Sequence, residues 1–220
     1  VVVLVGIYLI SYTLVKNQSY KNGEIFWKTV TNLHPNRADY WIGLGTYYYN
    51  KENFVKAAEL GEKAININPQ VKEYYYKASN AYFKAGDISS SIEKLEKVLP
   101  IDSEKEKVLF NLLKLYELKG DTIKADITIK KLKELARLNN KSDFIALTSY
   151  FYLNKSEIKL AIDLMKIAVN IEPLNSIYLN DLGTMYYKIA DIKSAKDYFL
   201  EALKLDPENK KYLYNLSLCQ

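Results

Sequence analysis

A period of 34 residues runs through most of this chain and constrains its fold more than any other feature. Trp41-Ile42-Gly43-Leu44-Gly45-Thr46-Tyr47-Tyr48 is followed by Ala57-Ala58 and then by Ala64-Ile65-Asn66-Ile67-Asn68-Pro69. The same succession returns at Leu179-Asn180-Asp181-Leu182-Gly183-Thr184-Met185-Tyr186, Ala195, Phe199 and Ala202-Leu203-Lys204-Leu205-Asp206-Pro207. Three further copies lie between them. One opens with Tyr75, Ala78, Ser79 and Tyr82, the next with Leu109, Leu112, Leu113 and Tyr116, and the third with Ile145, Ser149 and Tyr152. Unit starts near 38, 72, 106, 142 and 176 fit all five, with steps of 34 and one of 36. A unit this short buries its apolar side only by stacking on its neighbours.

Within a unit the apolar positions have helical spacing. Trp41, Leu44, Gly45 and Tyr48 fall at i, i+3, i+4 and i+7, on one helical face. Small residues recur where two helices would cross: Gly45, Ser79, Ser149 and Gly183 on the first helix, and Ala57, Ser91, Ala125, Ala161 and Ala195 on the second. Gly86-Asp87 and Gly120-Asp121 read as a helix stop followed by an N-cap. Pro69, Pro173 and Pro207 end second helices, because proline cannot continue the hydrogen-bond ladder. Helices are thus predicted over 38–51, 54–67, 72–85, 88–99, 106–119, 122–138, 142–154, 157–170, 176–189 and 192–205, with no strands.

A 34-residue helix–turn–helix unit with an aromatic or Leu opener, a small residue, Tyr, Ala and a terminal Pro resembles the tetratricopeptide repeat. The resemblance implies an all-α, right-handed α-solenoid. It divides the chain into repeats at 38–71, 72–105, 106–141, 142–175 and 176–209. The third is irregular, with Leu113 at a small position, no terminal proline and the two-residue insertion. Residues 17–37 form a lead-in helix, the second half of a partial repeat, and 210–220 the truncated first helix of a sixth. An array cut within a helix leaves an apolar face uncovered, so the natural chain is expected to continue.

The first 15 residues carry no charge before Lys16. As a helix they would span roughly 22 Å at ~1.5 Å per residue, slightly short of a bilayer core. Residues 1–16 are read as the C-terminal part of a transmembrane helix, with Tyr8, Tyr12 and Lys16 at its exit into the interface. A signal-peptide core is the weaker reading, since Ser11-Tyr12-Thr13 makes a poor cleavage site. A buried core helix is the third. The expectation is a membrane-anchored protein with its repeats in the aqueous phase on an undetermined side. The sequons at Asn17, Asn140, Asn154 and Asn215 do not establish a secretory compartment. A membrane span, Glu24-Ile25-Phe26-Trp27, Pro35 and then repeats also looks like the C-terminal region of multi-spanning O-mannosyltransferase-type glycosyltransferases. Their catalytic part would lie upstream, so no catalytic residue carries over.

Chemistry finds little to hold. One histidine, His34, and one cysteine, Cys219, leave no paired metal ligands and no disulfide framework, and no nucleophile or phosphate-loop motif is present. No catalytic, cofactor-binding or metal residues are assigned. The net charge of +5 comes from lysines interleaved with acids, as in Glu93-Lys94-Leu95-Glu96-Lys97, which reads as solvated helix faces. Only Arg37 and Arg137 are arginines, which argues against nucleic acid as a partner.

The resemblance implies a concave groove lined by first helices and open to a protein or extended peptide. In this register the first repeat offers Tyr49 and Asn50, and the second Tyr76, Asn80, Phe83 and Lys84. Phe110 and Lys114 follow from the third, Tyr150 and Asn154 from the fourth, and Asn180 and Tyr187 from the fifth. Tyr48, Tyr82, Tyr116, Tyr152 and Tyr186 recur at a core position instead.

Overall fold

The computed structural model describes residues 23–220. Twelve helices and no strands occur among them: α1 Gly23–Leu33, α2 Ala38–Asn50, α3 Phe54–Ile67, α4 Lys72–Lys84, α5 Ile88–Val98, α6 Lys105–Lys119, α7 Thr122–Asn139, α8 Asp143–Asn154, α9 Ile158–Ile171, α10 Ser176–Lys188, α11 Ile192–Leu205 and α12 Lys210–Ser217. The ten helices anticipated between 38 and 205 appear with ends shifted by no more than one residue. No helix among the described residues is long and apolar enough to cross a membrane. The anticipated span at 1–16 lies outside the described residues.

Turn chemistry sets the helix ends. The side chains of Asn53, Asp87, Asp121 and Asp191 each accept from a backbone N–H three residues on, capping α3, α5, α7 and α11. The residue just before each of these caps, and before Glu157 in the fourth repeat, has a left-handed backbone: Glu52, Gly86, Gly120, Ser156 and Ala190. Glycine occupies two of these five places. The other three carry a Cβ in a region that disfavours it.

The described chain falls into two compact units, divided between Gly120 and Asp121. In the first, α1 to α6 pack each against the next. Its core holds Leu44, Tyr48, Ala57, Ala58, Leu60 and Ala81, with Trp27 and Trp41 packed on it. Gly43 admits the Trp27 ring, since a Cβ there would lie 2.2 Å from a ring carbon. In the second unit α8 to α12 pack in the same succession, and α7 touches both α8 and α9. Its core includes Ile145, Leu164, Met165, Leu182, Met185 and Phe199. The irregularity anticipated near 106–141 takes the form of an 18-residue α7 that stops at a left-handed Asn140.

The small residues stand at the helix crossings. Ser79 Oγ donates to the carbonyl of Ser91 at 3.1 Å. A Cβ on Gly45 would lie 3.3 Å from the carbonyl oxygen of Ala57, and one on Gly183 3.2 Å from that of Ala195. The core tyrosines divide into Tyr48, Tyr116 and Tyr152, which are buried, and Tyr82 and Tyr186, which are half-buried. Their hydroxyls tie repeats together: Tyr48 donates to Glu24 at 2.6 Å, Tyr82 to Glu62 at 3.1 Å and Tyr116 to Glu96 at 2.7 Å.

Lys94 corrects the reading of 93–97 as a solvated face. It is 5 % exposed, with Nζ 2.5 Å from Glu62 and 3.2 Å from Glu93. The neighbouring helix α3 brings Glu62 to it, and a buried ammonium needs such partners.

Candidate functional site

In the first unit, the first helices α2 and α4 and the second helix α3 enclose an open cleft of about 230 Å³. Its lining is Ile42, Gly45, Thr46 and Tyr49 from α2, Ala57 and Gly61 from α3, and Lys77 and Asn80 from α4. Two of the anticipated groove residues, Tyr49 and Asn80, thus meet. Tyr49 is half-buried and held edge-on to Phe54, with ring centroids 5.2 Å apart. Thr46 Oγ1 donates to the carbonyl of Ile42 at 2.9 Å and accepts from Lys77 Nζ at 3.0 Å. Asn80 is exposed at the rim.

Sequence reasoning missed Lys77. It shares a helical face with Asn80 and Lys84, at i, i+3 and i+7, and that spacing was there to be read.

Other anticipated residues of this unit lie elsewhere. Asn50 and Lys84 are exposed at the ends of α2 and α4, and Phe83 is 42 % exposed. Phe110 is half-buried, with the Lys114 ammonium 5.1 Å from its ring centroid. Tyr76 departs from the expectation of a free groove side chain. Its hydroxyl donates to Asp102 at 2.5 Å, and Asp102 also accepts from Lys72 Nζ at 3.0 Å and the Glu104 amide at 2.8 Å. Burial, and then the bond to Asp102, pushes the Tyr76 phenol well above its ordinary value.

The second unit repeats the pattern. Tyr150 is half-buried and donates to Asp181 at 2.7 Å. Asn154 and Tyr187 are exposed, the latter at 36 %. Asn180 corrects the groove assignment outright, for it is fully buried. Its Oδ1 accepts from Asn215 at 2.8 Å and its Nδ2 donates to Asp181 at 3.2 Å. The physical reason is the stacking of first helices: α12 follows α10, and its Asn215 closes over the position that the sequence register assigned to solvent. The partners Asp102 and Asp181 carried no sequence signal, because the tyrosines that engage them lie 26 and 31 residues away in the chain.

No group of three or more His, Cys, Asp or Glu side chains suited to a metal ion occurs among the described residues. Cys219 is buried, and burial raises its thiol pKa.

Stacked helix pairs with small crossing residues and a lined first-helix cleft define a helical-repeat protein. Residues 38–71 and 177–209 match family profiles of the tetratricopeptide repeat, so the chain carries tetratricopeptide repeats. Solved structures agree on the fold. YrrB, a tetratricopeptide-repeat protein with an unusual peptide-binding site, is 15 % identical with a TM-score of 0.50, over 86 % of this chain and 96 % of its own. MamA is 19 % identical with a TM-score of 0.54, over 80 % of this chain and 94 % of its own. The C-terminal part of a repeat protein from Cytophaga hutchinsonii is 16 % identical with a TM-score of 0.55, over 80 % and 68 %. No curated protein sequence matches the chain. These likenesses concern the repeats, and the lead-in's resemblance to glycosyltransferases is not shown by them.

Proposed function

We propose that the repeats form a protein-interaction module that takes an extended peptide along its first helices, and that residues 1–15 hold it at a membrane. The observation that carries the reading is the first-unit cleft, where apolar walls meet an amide and an ammonium. Tyr49, Asn80 and Phe83 add stacking surface and hydrogen bonding for a peptide backbone. The YrrB structure supports the reading as an example of the same fold with a peptide site.

The test replaces Phe83, Tyr187 or Leu200 with p-benzoylphenylalanine in the full chain. All three are exposed, and Leu200 lies on a second helix, α11. Crosslinks to protein from positions 83 and 187, and none from position 200, are expected. Equal capture from all three positions overturns the first-helix assignment. For the tether, the full chain should stay with membranes through alkaline carbonate extraction and a variant lacking 1–16 should not. Release of both removes the membrane anchor.

A further inference from the structure

The cleft of the first repeat has a filled counterpart in the fifth. A Cβ on Gly183 would lie 2.7 Å from two carbons of the Phe199 ring, and Phe199 is 2 % exposed. The corresponding residues of the first repeat are Gly45 and Gly61. A Cβ on Gly45 meets the Ala57 carbonyl oxygen at 3.3 Å and the Leu60 Cβ at 3.4 Å, and no ring is among its nearest atoms. Residue 61 has no side chain, where the other four repeats have Leu95, Ile129, Met165 and Phe199. A side chain at 61 is barred by α4, since its Cβ would stand 2.9 Å from that of Ala78. The volume that Phe199 fills from within is therefore open in the first repeat, floored by Gly45, Ala57 and Gly61. Its roughly 230 Å³ exceeds the dry cavity of about 150 Å³ known to hold benzene.

We propose that this cleft is a pocket for one aromatic side chain, phenylalanine by preference, of the bound peptide. The inference rests on the peptide-binding reading above and names its anchor residue. The walls suit an uncharged ring. Ile42 is aliphatic, Tyr49 is fixed by Phe54, and the Thr46 hydroxyl is already engaged on both sides. Lys77 spends one of its three N–H donors on Thr46 and keeps two for peptide carbonyls at the rim, beside the Asn80 amide. The missing Phe199-like ring is supplied by the ligand.

The experiment titrates the full chain with acetyl-Gly-Gly-Phe-Gly-Gly-amide and with its alanine counterpart, following the methyl signals of Ile42 and Ala57 by NMR. The phenylalanine peptide should move both signals and bind at least about tenfold more tightly, as burial of a phenyl ring requires. Asn80→Trp, at the exposed rim, should lay an indole over the cleft and abolish the preference without lowering the melting temperature. Equal affinity of the two peptides, with shifts on α2 and α4, overturns the pocket and leaves the peptide-binding reading standing. Shifts from neither peptide also overturn the pocket, and the crosslinking experiment then decides the broader reading. A phenylalanine preference that survives in Asn80→Trp overturns the location.

Discussion

The hydroxyl of Ser149 donates to the carbonyl oxygen of Ala161 at 2.7 Å, twelve residues on. The same step joins Ser79 to Ser91 and brings Gly45 and Gly183 against Ala57 and Ala195. At this crossing the two helices of a repeat approach backbone to side chain, so volume matters more than polarity. Ser149→Ala should cost about 0.5–1.5 kcal/mol, one hydrogen bond. Ser149→Leu should cost roughly 1–3 kcal/mol by overpacking a site with no exposed surface. Urea denaturation of the two variants checks the order. A leucine variant as stable as the alanine one would contradict the crossing geometry.

The left-handed turn offers a gain instead of a loss. Ala190 sits at φ 60 where the second and third repeats have Gly86 and Gly120. Left-handed backbone costs a residue with Cβ about 1–2 kcal/mol, part of which glycine returns as entropy of the unfolded chain. Ala190→Gly should therefore raise stability by roughly 0.5–1 kcal/mol. The check is the urea midpoint at unchanged slope.

Acid should loosen the tie between α4 and the turn that follows α5 through Asp102. Burial alone would raise this carboxyl, but the bonds from Tyr76, the Glu104 amide and Lys72 outweigh it and hold it below the usual carboxylate range. A depressed folded pKa contributes stability that is present above the unfolded value, about 3.9, and is lost as pH falls through the folded one. Asp102→Asn should cost about 1–3 kcal/mol at pH 7, where donors are left unsatisfied. The gap between variant and parent should narrow in melting curves below about pH 4.

The alkaline limb belongs to tyrosines. Burial, then the bond to Asp39, pushes the Tyr74 phenol to about 12, and burial with the charge of Glu62 does the same for Tyr82. A raised folded pKa gives stability fully present below the unfolded value, about 10, and lost as pH rises through the folded one. Melting temperature should therefore fall between pH 10 and 12, and fall less in Tyr74→Phe.

The lead-in helix packs its Trp27 ring on α2, beside the Tyr48–Glu24 hydrogen bond. Trp27 rests on Gly43, with no room for a Cβ. Gly43→Ala should displace the indole from α2, cost about 1–3 kcal/mol and shift tryptophan emission to the red. Unchanged emission would contradict the close packing of Trp27 on Gly43.

Helices and their caps were legible because they depend on residues close in the chain. Gly-Asp turns, proline stops and the 3.6-residue period act within one or two turns of helix. The glycine at 61 stands where Leu95, Ile129, Met165 and Phe199 recur, but its consequence depends on Ala78 of the next repeat, which spacing does not show. Asn180 was misread, and the carboxylates that engage the Tyr76 and Tyr150 hydroxyls were not foreseen. A helical register says which face a residue occupies but not what the next repeat lays over it.

The chain's sequence by itself determined the repeat, its helices and its crossing residues, since each follows from periodicity and local backbone chemistry. Only the tertiary structure decided which polar side chains stay free. Asp102, Asp181 and Asn215 lie 26 to 35 residues from the side chains they engage. Such pairs arise from stacking, where the distance between helices, and not spacing along the chain, selects the partner. The open cleft has the same origin: Gly61 removes a ring, but α4 standing close behind it keeps the space from being filled.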